Sequence, residues 1–468
     1  MDDSHAAPFT IRRNKMKRLA VFISVICLML CHVSAETLYT QRVSAPGTHH
    51  PGYSSFIDTF PHLVFNSDNT WFNTTDEFVS EFVSALRLSN PPFDLFSLDG
   101  YYSRERLMSE EFCADLSQSK VISDTLGRMW PAIVDAATKD GRIYAVPESI
   151  LLSGFGICED AWQAAGLSDI PVPASYMELL AFLEQWVERI KQAPEPKIRI
   201  SNVIDESLYN RQSYINYLLP VLLDCYTLPM LYEGRMPDFH TEEFRALLER
   251  TVNVGLALYE AEPRAGEGNM QLFQNELMGF GIIGIKDGYS HAMPLRIRND
   301  QPVLFKGSLS LLCVGAESGQ KNLAIDYLEH VITHLSSYTA SYAFMDSQAL
   351  ERPHLDEDIA DQKKRIDLTI AQLNDPNLSK AKRQELEEQL KRQNNVLKSM
   401  QTEDWKYLIS PDWLAKYHIA APYLYFPDAS PCVYTSAEGK EMLQLMRRFA
   451  DNEINADQFI TGLDLLGK

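Results

Sequence analysis

The sequence predicts an α/β protein of two hinge-linked lobes with a helical hairpin insertion. Three observations carry that reading. The chain has 468 residues, 45% of them apolar and 23% charged, an ordinary globular composition in a chain too long for one hydrophobic core. The stretch Gly141 to Phe155, GRIYAVPESILLSGF, holds two strand-like runs joined through Pro147 with no loop between them. That pattern suits a segment that leaves one sheet and enters another. Residues 351–404 carry apolar side chains at helical spacing without a strand signal, which argues for a two-helix insertion in a lobe and not for a third domain.

The chain opens with an export signal, residues 1–35. Lys17 and Arg18 precede an apolar run from Leu19 to Leu30, and Val33-Ser34-Ala35 forms a small-residue exit, the three parts of a secretory leader. The apolar run is shorter than the roughly 20 residues a bilayer requires. The formal charge is −20, and residues 1–35 hold five Lys/Arg against two Asp, so the exported part is more acidic still. Such a surface repels phosphate backbones and anionic headgroups. It excludes nucleic acid as a partner and favours neutral or cationic ligands. Beyond the signal, Cys113, Cys158, Cys225, Cys313 and Cys432 are odd in number and widely spaced in apolar patterns. They read as buried thiols, neither a disulfide framework nor a metal site.

The first lobe, residues 36–146 plus 291–348, opens as βαβ. Thr37 to Val43 alternates as a strand, Ser54 to Phe60 is helical, and Leu63 to Asn66 is a second strand. Phe78, Phe82 and Leu86, with Val79 and Val83 beside them, give Asp76 to Leu88 one apolar face, which Thr74 or Thr75 caps. Pro91-Pro92 ends that helix, and Phe93 to Leu98 is an apolar strand running into Asp99-Gly100-Tyr101-Tyr102. Ligands sit beyond the carboxyl ends of such strands in open α/β sheets, so Asp99, Tyr101 and Tyr102 are site candidates. The other reading has the tyrosines begin a helix, Arg104 to Ser117. Gly141 supplies a tight turn, Ile143, Tyr144 and Val146 alternate as a strand, and Pro147 stops it.

The second lobe, residues 147–290 plus 349–468, is helix-heavy. Ser175-Tyr-Met-Glu178 is a capping box for a helix to Ile190, Ile198 to Val203 is a strand, and helices follow at Ser207 to Leu223 and Thr241 to Tyr259. The run GFGIIG in Phe273 to Ile285 lacks the Gly-Lys-Ser/Thr of a phosphate loop. Met293 to Ile297 and Gln301 to Gly315 precede a helix from Leu323 to His334. The hairpin pairs Leu355, Ile359, Ile366, Ile370 and Leu373 with Leu386, Leu390, Val396, Leu397 and Met400 across the break Asn374-Asp-Pro-Asn377. An aromatic-rich tail with terminal helices closes the chain.

These motifs, in this order, resemble the extracellular solute-binding proteins of ABC importers, the family 1-like group that includes oligosaccharide binders. GRIYAVP after LGRMWPAIVDAATKD is similar to their crossover, and CEDAWQAAGLSDIPVPASYMELLAFLEQW to the helix, turn, proline loop and helix that follow it. FDLFSL resembles their cleft-delivering strand, AIDYLEHVI their returning helix, and RRFADNEINADQFITGLD the C-terminus of a gut-bacterial subgroup, with Glu453 where that pattern has Gly. The resemblance implies a periplasmic-binding-protein-like, type II-like fold, no enzymatic activity and no cofactor. It also implies a monomer that captures a small solute, sugar ahead of peptide, and hands it to membrane permease subunits. Such proteins act outside the cell or on the outer face of the cytoplasmic membrane. Many are tethered through a cysteine that follows a small residue, a pattern from which Cys31 after Leu30 departs.

Catalytic patterns are not recognisable. Gly288-Tyr-Ser290 has no second Gly to make a nucleophile elbow. His330 and His334 lack the Glu of HExxH, and His49-His50 fall in a loop. No carboxylate pair stands in an evident acid/base context, although the abundance of carboxylates keeps a secreted carbohydrate-active enzyme as one alternative. A binding fold repurposed as a sensor is the other. A sugar cleft needs flat apolar faces and a few fixed polar groups. The candidate ligand-binding residues are Trp71, Asp99, Tyr101, Tyr102, Trp130, Glu148, Ser149, Tyr214, Asn216 and Trp405, with Phe72, Arg128, Trp413, Tyr423 and Tyr425 behind them. Trp162 and Trp186, set among Ala and Leu at helical spacing, read as core.

Overall fold

The computed structural model describes residues 37–41, 56, 59, 64–68, 82–88, 91, 93–98, 104–109, 111–153, 155–192, 198–201, 211–262, 270–275, 289–427 and 437–466. The export signal with Cys31, the candidates Trp71, Asp99, Tyr101 and Tyr102, and also His49, His50, Phe72, Cys432 and GFGIIG lie outside the described residues. No described helix is long and apolar enough to cross a membrane.

In chain order the elements are β1 (Thr37–Gln41), β2 (Val64–Asp68), β3 (Leu95–Leu98), α1 (Lys120–Leu126), α2 (Pro131–Ala137), β4 (Thr138–Lys139), β5 (Arg142–Ile143), β6 (Val146–Ser153) and β7 (Phe155–Cys158). Then come α3 (Glu159–Ala164), α4 (Tyr176–Gln192), β8 (Ile198–Ser201), α5 (Ser213–Tyr232), α6 (Glu242–Ala261), β9 (Met270–Asn275), β10 (Tyr289–Met293) and β11 (Phe305–Val314). The rest are α7 (Lys321–Thr333), α8 (Ser337–Ala343), β12 (Leu350–Glu351), α9 (Leu355–Leu373), α10 (Lys380–Met400), β13 (Tyr407–Ile409), α11 (Pro411–Ala420), β14 (Leu424–Tyr425), α12 (Ala437–Ala450) and α13 (Ala456–Leu466).

The strands form a mixed sheet in the order β14-β11-β3-β1-β2, with β6 also pairing β11, and a second sheet in the order β10-β7-β9-β8. β1 runs parallel to β2 and β3, as the predicted βαβ opening requires. Each sheet backs its own core. Leu38, Phe96, Ile133, Val146, Leu311 and Leu328 belong to one cluster, and Phe155, Leu183, Leu222, Phe244, Phe273 and Phe459 to another. Trp162 and Trp186 are core residues, stacked on either side of Phe182 in the second cluster.

Helix starts follow their caps. Thr241 accepts from the Phe244 amide, Ser379 from Lys382 and Ser410 from Trp413, each satisfying an amide that the helix leaves open. At α4 the Ser175 hydroxyl accepts from the Glu178 amide at 3.4 Å, while Glu178 reaches back to the Ala174 amide at 2.8 Å.

Four expectations are corrected. The helix expected over Arg104 to Ser117 stops after one turn, Arg104–Leu107. Cys113 forms a β-bridge with Gly315, and the Ala114 amide donates to the Val314 carbonyl at 2.8 Å. The sheet edge therefore captures backbone groups that a helix would have used. The tight turn expected at Gly141 is present, a left-handed pair at Asp140 (φ 51°) and Gly141 (φ 77°) joining β4 and β5, but the strand expected through Tyr144 is interrupted between Ile143, where β5 ends, and Val146, where β6 begins.

Pro147 does not end its strand. β6 continues to Ser153, with Pro147 opposite Leu311 and Ser149 opposite Ser310. Glu148 is left as the extra residue of a bulge, a place where a proline without an N–H is tolerated. The fourth correction concerns the tail, which the sequence assigns from residue 349 onwards to the second lobe. Ile409, Leu414, Tyr417, Leu424 and Phe426 pack in the first core, and the second regains the chain at Met442, Met446, Phe459 and Leu463. Aromatic contacts draw this segment in: Tyr417 meets Tyr342 edge to face at 4.9 Å and donates to its carbonyl at 2.6 Å.

The hairpin α9–α10 stands between β12 and β13, which pair with each other at its foot. Its seam buries Gln362, Ile366, Thr369, Leu386 and Met400, with Gln362 Nε2 donating to the Gln393 carbonyl at 2.9 Å. The opposite faces are exposed, Leu368 at 66%.

Candidate functional site

The site is built where the chain passes from one core to the other. Among the described residues this happens three times: between Ser153 and Phe155, between Leu304 and Phe305, and after Phe426. The strands on the first-core side of these passages are neighbours. β11 pairs β6 antiparallel and β14 parallel, so that Lys306 stands opposite both Ser153 and Tyr425. Three connections between two cores thus leave one sheet side by side.

Side chains fix this junction. Lys306 Nζ lies 2.9 Å from Asp224 Oδ1 of α5, in the second core, with the side chains only 13% and 19% exposed. A pair so withdrawn from water is strongly coupled, and removing either partner strands a charge. Gly307 has no side chain for a close-approach reason: a Cβ there would come within 2.3 Å of the buried Phe426 ring. Arg104 donates to the Phe426 carbonyl, and Tyr425 meets Tyr232 of α5 edge to face at 5.6 Å. A second ionic contact spans the cores from α11, where Lys416 Nζ is 3.3 Å from Glu159 and 2.9 Å from Asp412. Burial pulls the Lys416 ammonium down, but the two carboxylates outweigh it and hold it above its ordinary range.

Of the sequence candidates, Glu148 and Ser149 stand on β6 within this junction, half-buried at the bulge. Trp130 caps α2 and is 8% exposed, its ring edge-on to Tyr417 and His418 at 6.4 and 5.4 Å. Its Nε1 is buried without a hydrogen-bond partner. The His418 Nε2 is 3.1 Å from the Ser347 hydroxyl, and burial holds the imidazole below its ordinary value. Arg128 pairs with Asp346 at 2.9 Å and lies over the Phe344 ring.

Tyr214 is not a cleft face. It is 0% exposed in the second core and donates to the buried Glu262, which also accepts from Trp186 Nε1 at 3.0 Å. Asn216, two residues on along α5, is half-buried. Trp405 lies at the hairpin's foot, with the Arg352 guanidinium 5.3 Å above its ring, and is not gathered to the crossings.

Sequence reasoning missed Lys306, Asp224, Gly307 and Phe426. Their partners are 82 and more residues away in the chain, and no local periodicity reports such contacts. No group of three or more described His, Cys, Asp or Glu could hold a metal ion. His330 and His334 stack face to face at 4.0 Å, so their rings lie side by side and do not converge on a common point.

No family model matches the sequence, and no curated protein matches it. Solved structures do. An ABC substrate-binding protein from Listeria monocytogenes in complex with cycloalternan superimposes with a TM-score of 0.50 at 13% identity, covering 92% of this chain and 97% of that one. A cyclic alpha-maltosyl-1,6-maltose binding protein from Arthrobacter globiformis gives 0.49 at 15% identity over 92% and 97%. The first likeness shows the fold: this chain has the two-lobed α/β architecture of an ABC substrate-binding protein over nearly its whole length.

Proposed function

We propose that this chain is the exported solute-binding component of an ABC importer, which captures an oligosaccharide by closing its two cores and presents it to membrane permease subunits. The observation that carries the reading is the three-stranded junction at Ser153, Lys306 and Tyr425. Two separately packed cores whose connections among the described residues run through adjacent strands can rotate about that line while each stays intact, which is the hinge geometry of ligand-closing proteins. A ligand shifts the open and closed populations only by its preference for one of them, so the groups that matter face the groove from both cores. Glu148 and Ser149 at the bulge are assigned to that groove, and Trp71, Asp99, Tyr101 and Tyr102, which lie outside the described residues, remain ligand-binding candidates from the sequence. The Listeria protein of the same fold is bound to cycloalternan, and an oligosaccharide, cyclic or linear, is the solute class we assign here.

No nucleophile or acid/base pair is needed for this activity. A panel of cyclic and linear oligosaccharides tests it by thermal shift. A true ligand at about 100 times its Kd adds roughly 2.7 kcal/mol of stability. A panel that leaves the melting midpoint unmoved overturns the assignment, and glycan cleavage in the same samples would replace it with an enzyme.

A further inference from the structure

Four described cysteines are buried and outside any disulfide, and they divide between the cores. Cys113 and Cys313 lie in the first, Cys158 and Cys225 in the second. Cys113 and Cys313, two hundred residues apart in sequence, meet. Cys113 bridges Gly315 in antiparallel register, and Gly315 and Cys313 project to the same side of their strand, which places the two thiols on one face as diagonal neighbours. The two thiols lie within electrostatic reach of each other, and the Cys113 thiol donates to the Leu107 carbonyl at 3.2 Å.

We propose that Cys113 and Cys313 are a site of reversible disulfide formation that staples the Phe112–Ala114 segment to β11. Diagonal strand neighbours have Cα atoms about 7–8 Å apart, slightly wider than the usual disulfide span. The bond therefore draws the segment toward β11. The segment can move because it is no regular strand, being held to β11 by the Ala114 amide on the Val314 carbonyl and the Ala316 amide on the Phe112 carbonyl. A bond formed under such a pull is reducible more readily than an unstrained structural disulfide. Reaction begins on Cys113, which lies in the short irregular segment, when that segment opens. The Cys113 thiolate attacks the disulfide of oxidised glutathione and releases one glutathione thiol. Cys313 then displaces the second, so that two S–H bonds are lost, one S–S bond forms, and the two electrons reduce the glutathione disulfide. The inference is independent of the transport reading.

The test is to hold the full chain in oxidised glutathione, folded in one arm and refolded from denaturant in another. Remaining thiols are then alkylated in denaturant and the peptides mapped. The expected result is a linked peptide pair two hydrogen masses lighter containing Cys113 and Cys313, with Cys158 and Cys225 fully alkylated and the link lost in dithiothreitol. The melting midpoint of the oxidised form should rise, and the rise should vanish in Cys313→Ser. That variant should instead trap Cys113 as a glutathione adduct. If the first variant fails to fold, Cys113→Ala serves instead, and it should show neither the link nor the rise in melting midpoint under oxidised glutathione. Complete alkylation of Cys113 and Cys313 after refolding, or links spread among all the cysteines, overturns the proposal.

Discussion

The strand junction and the helical hairpin meet the rest of the molecule in opposite ways. At the junction, β6, β11 and β14 are paired to one another, Gly307 lies against Phe426, and the Lys306–Asp224 pair is largely withdrawn from solvent. In the hairpin, two helices bury a seam of five side chains against each other and leave the remaining faces to water. The hairpin's ion pairs, such as Lys382–Glu385 at 2.7 Å, are i,i+3 contacts with both side chains at least half exposed, a type that contributes little. Charge is thus used in two different ways. In the hairpin it keeps an exposed element soluble, while at the junction one pair ties a strand of one core to a helix of the other.

The sharpest way to break this contrast is Lys306→Met. It leaves Asp224 charged and nearly buried, and a loss of about 3 kcal/mol is expected, read from urea unfolding. Adding Asp224→Leu should restore most of that stability, because a buried pair replaced by apolar side chains is often neutral. If the single variant is as stable as the parent, the junction is no more constrained than the hairpin. Gly307→Ala comes next, with an expected cost of about 1–3 kcal/mol from overpacking against the Phe426 ring. Phe426→Leu in the same chain should recover part of it. At the low end, Leu368→Gln on the hairpin's exposed face should shift stability by no more than about 0.5 kcal/mol. A larger loss would show that this face is covered.

The same contrast governs what could be read from the sequence. The hairpin was legible because its signals are local: apolar residues at helical spacing and the break at Asn374 to Asn377. The change of sheet was legible in the two apolar runs with no loop between them, but its position was not. Pro147 looked like a strand end, and only the bulge against Ser310 and Leu311 lets the strand run six residues further, to Ser153. Trp162 and Trp186 announced their burial through their neighbours, whereas Tyr214 did not, because its partner Glu262 lies at the far end of the next helix. Lys306 and Asp224 carry no local signal at all. An isolated Lys in a strand and an isolated Asp in a helix look like surface residues until the fold brings them to 2.9 Å.

The three passages also impose an order on how the protein comes into being. The first core draws on Leu38 to Ile150 and then on Leu309 to Phe426, while the second draws on Phe155 to Leu304 and then on Met442 to Leu463. A chain emerging from its N-terminus cannot finish the first core until the hairpin has been made, and cannot finish the second until its last two helices arrive. Contacts spanning such sequence distances slow folding. A chain shortened by α12 and α13 would leave the second core's apolar surface bare, and its fate should be aggregation, with no well-folded first half left over.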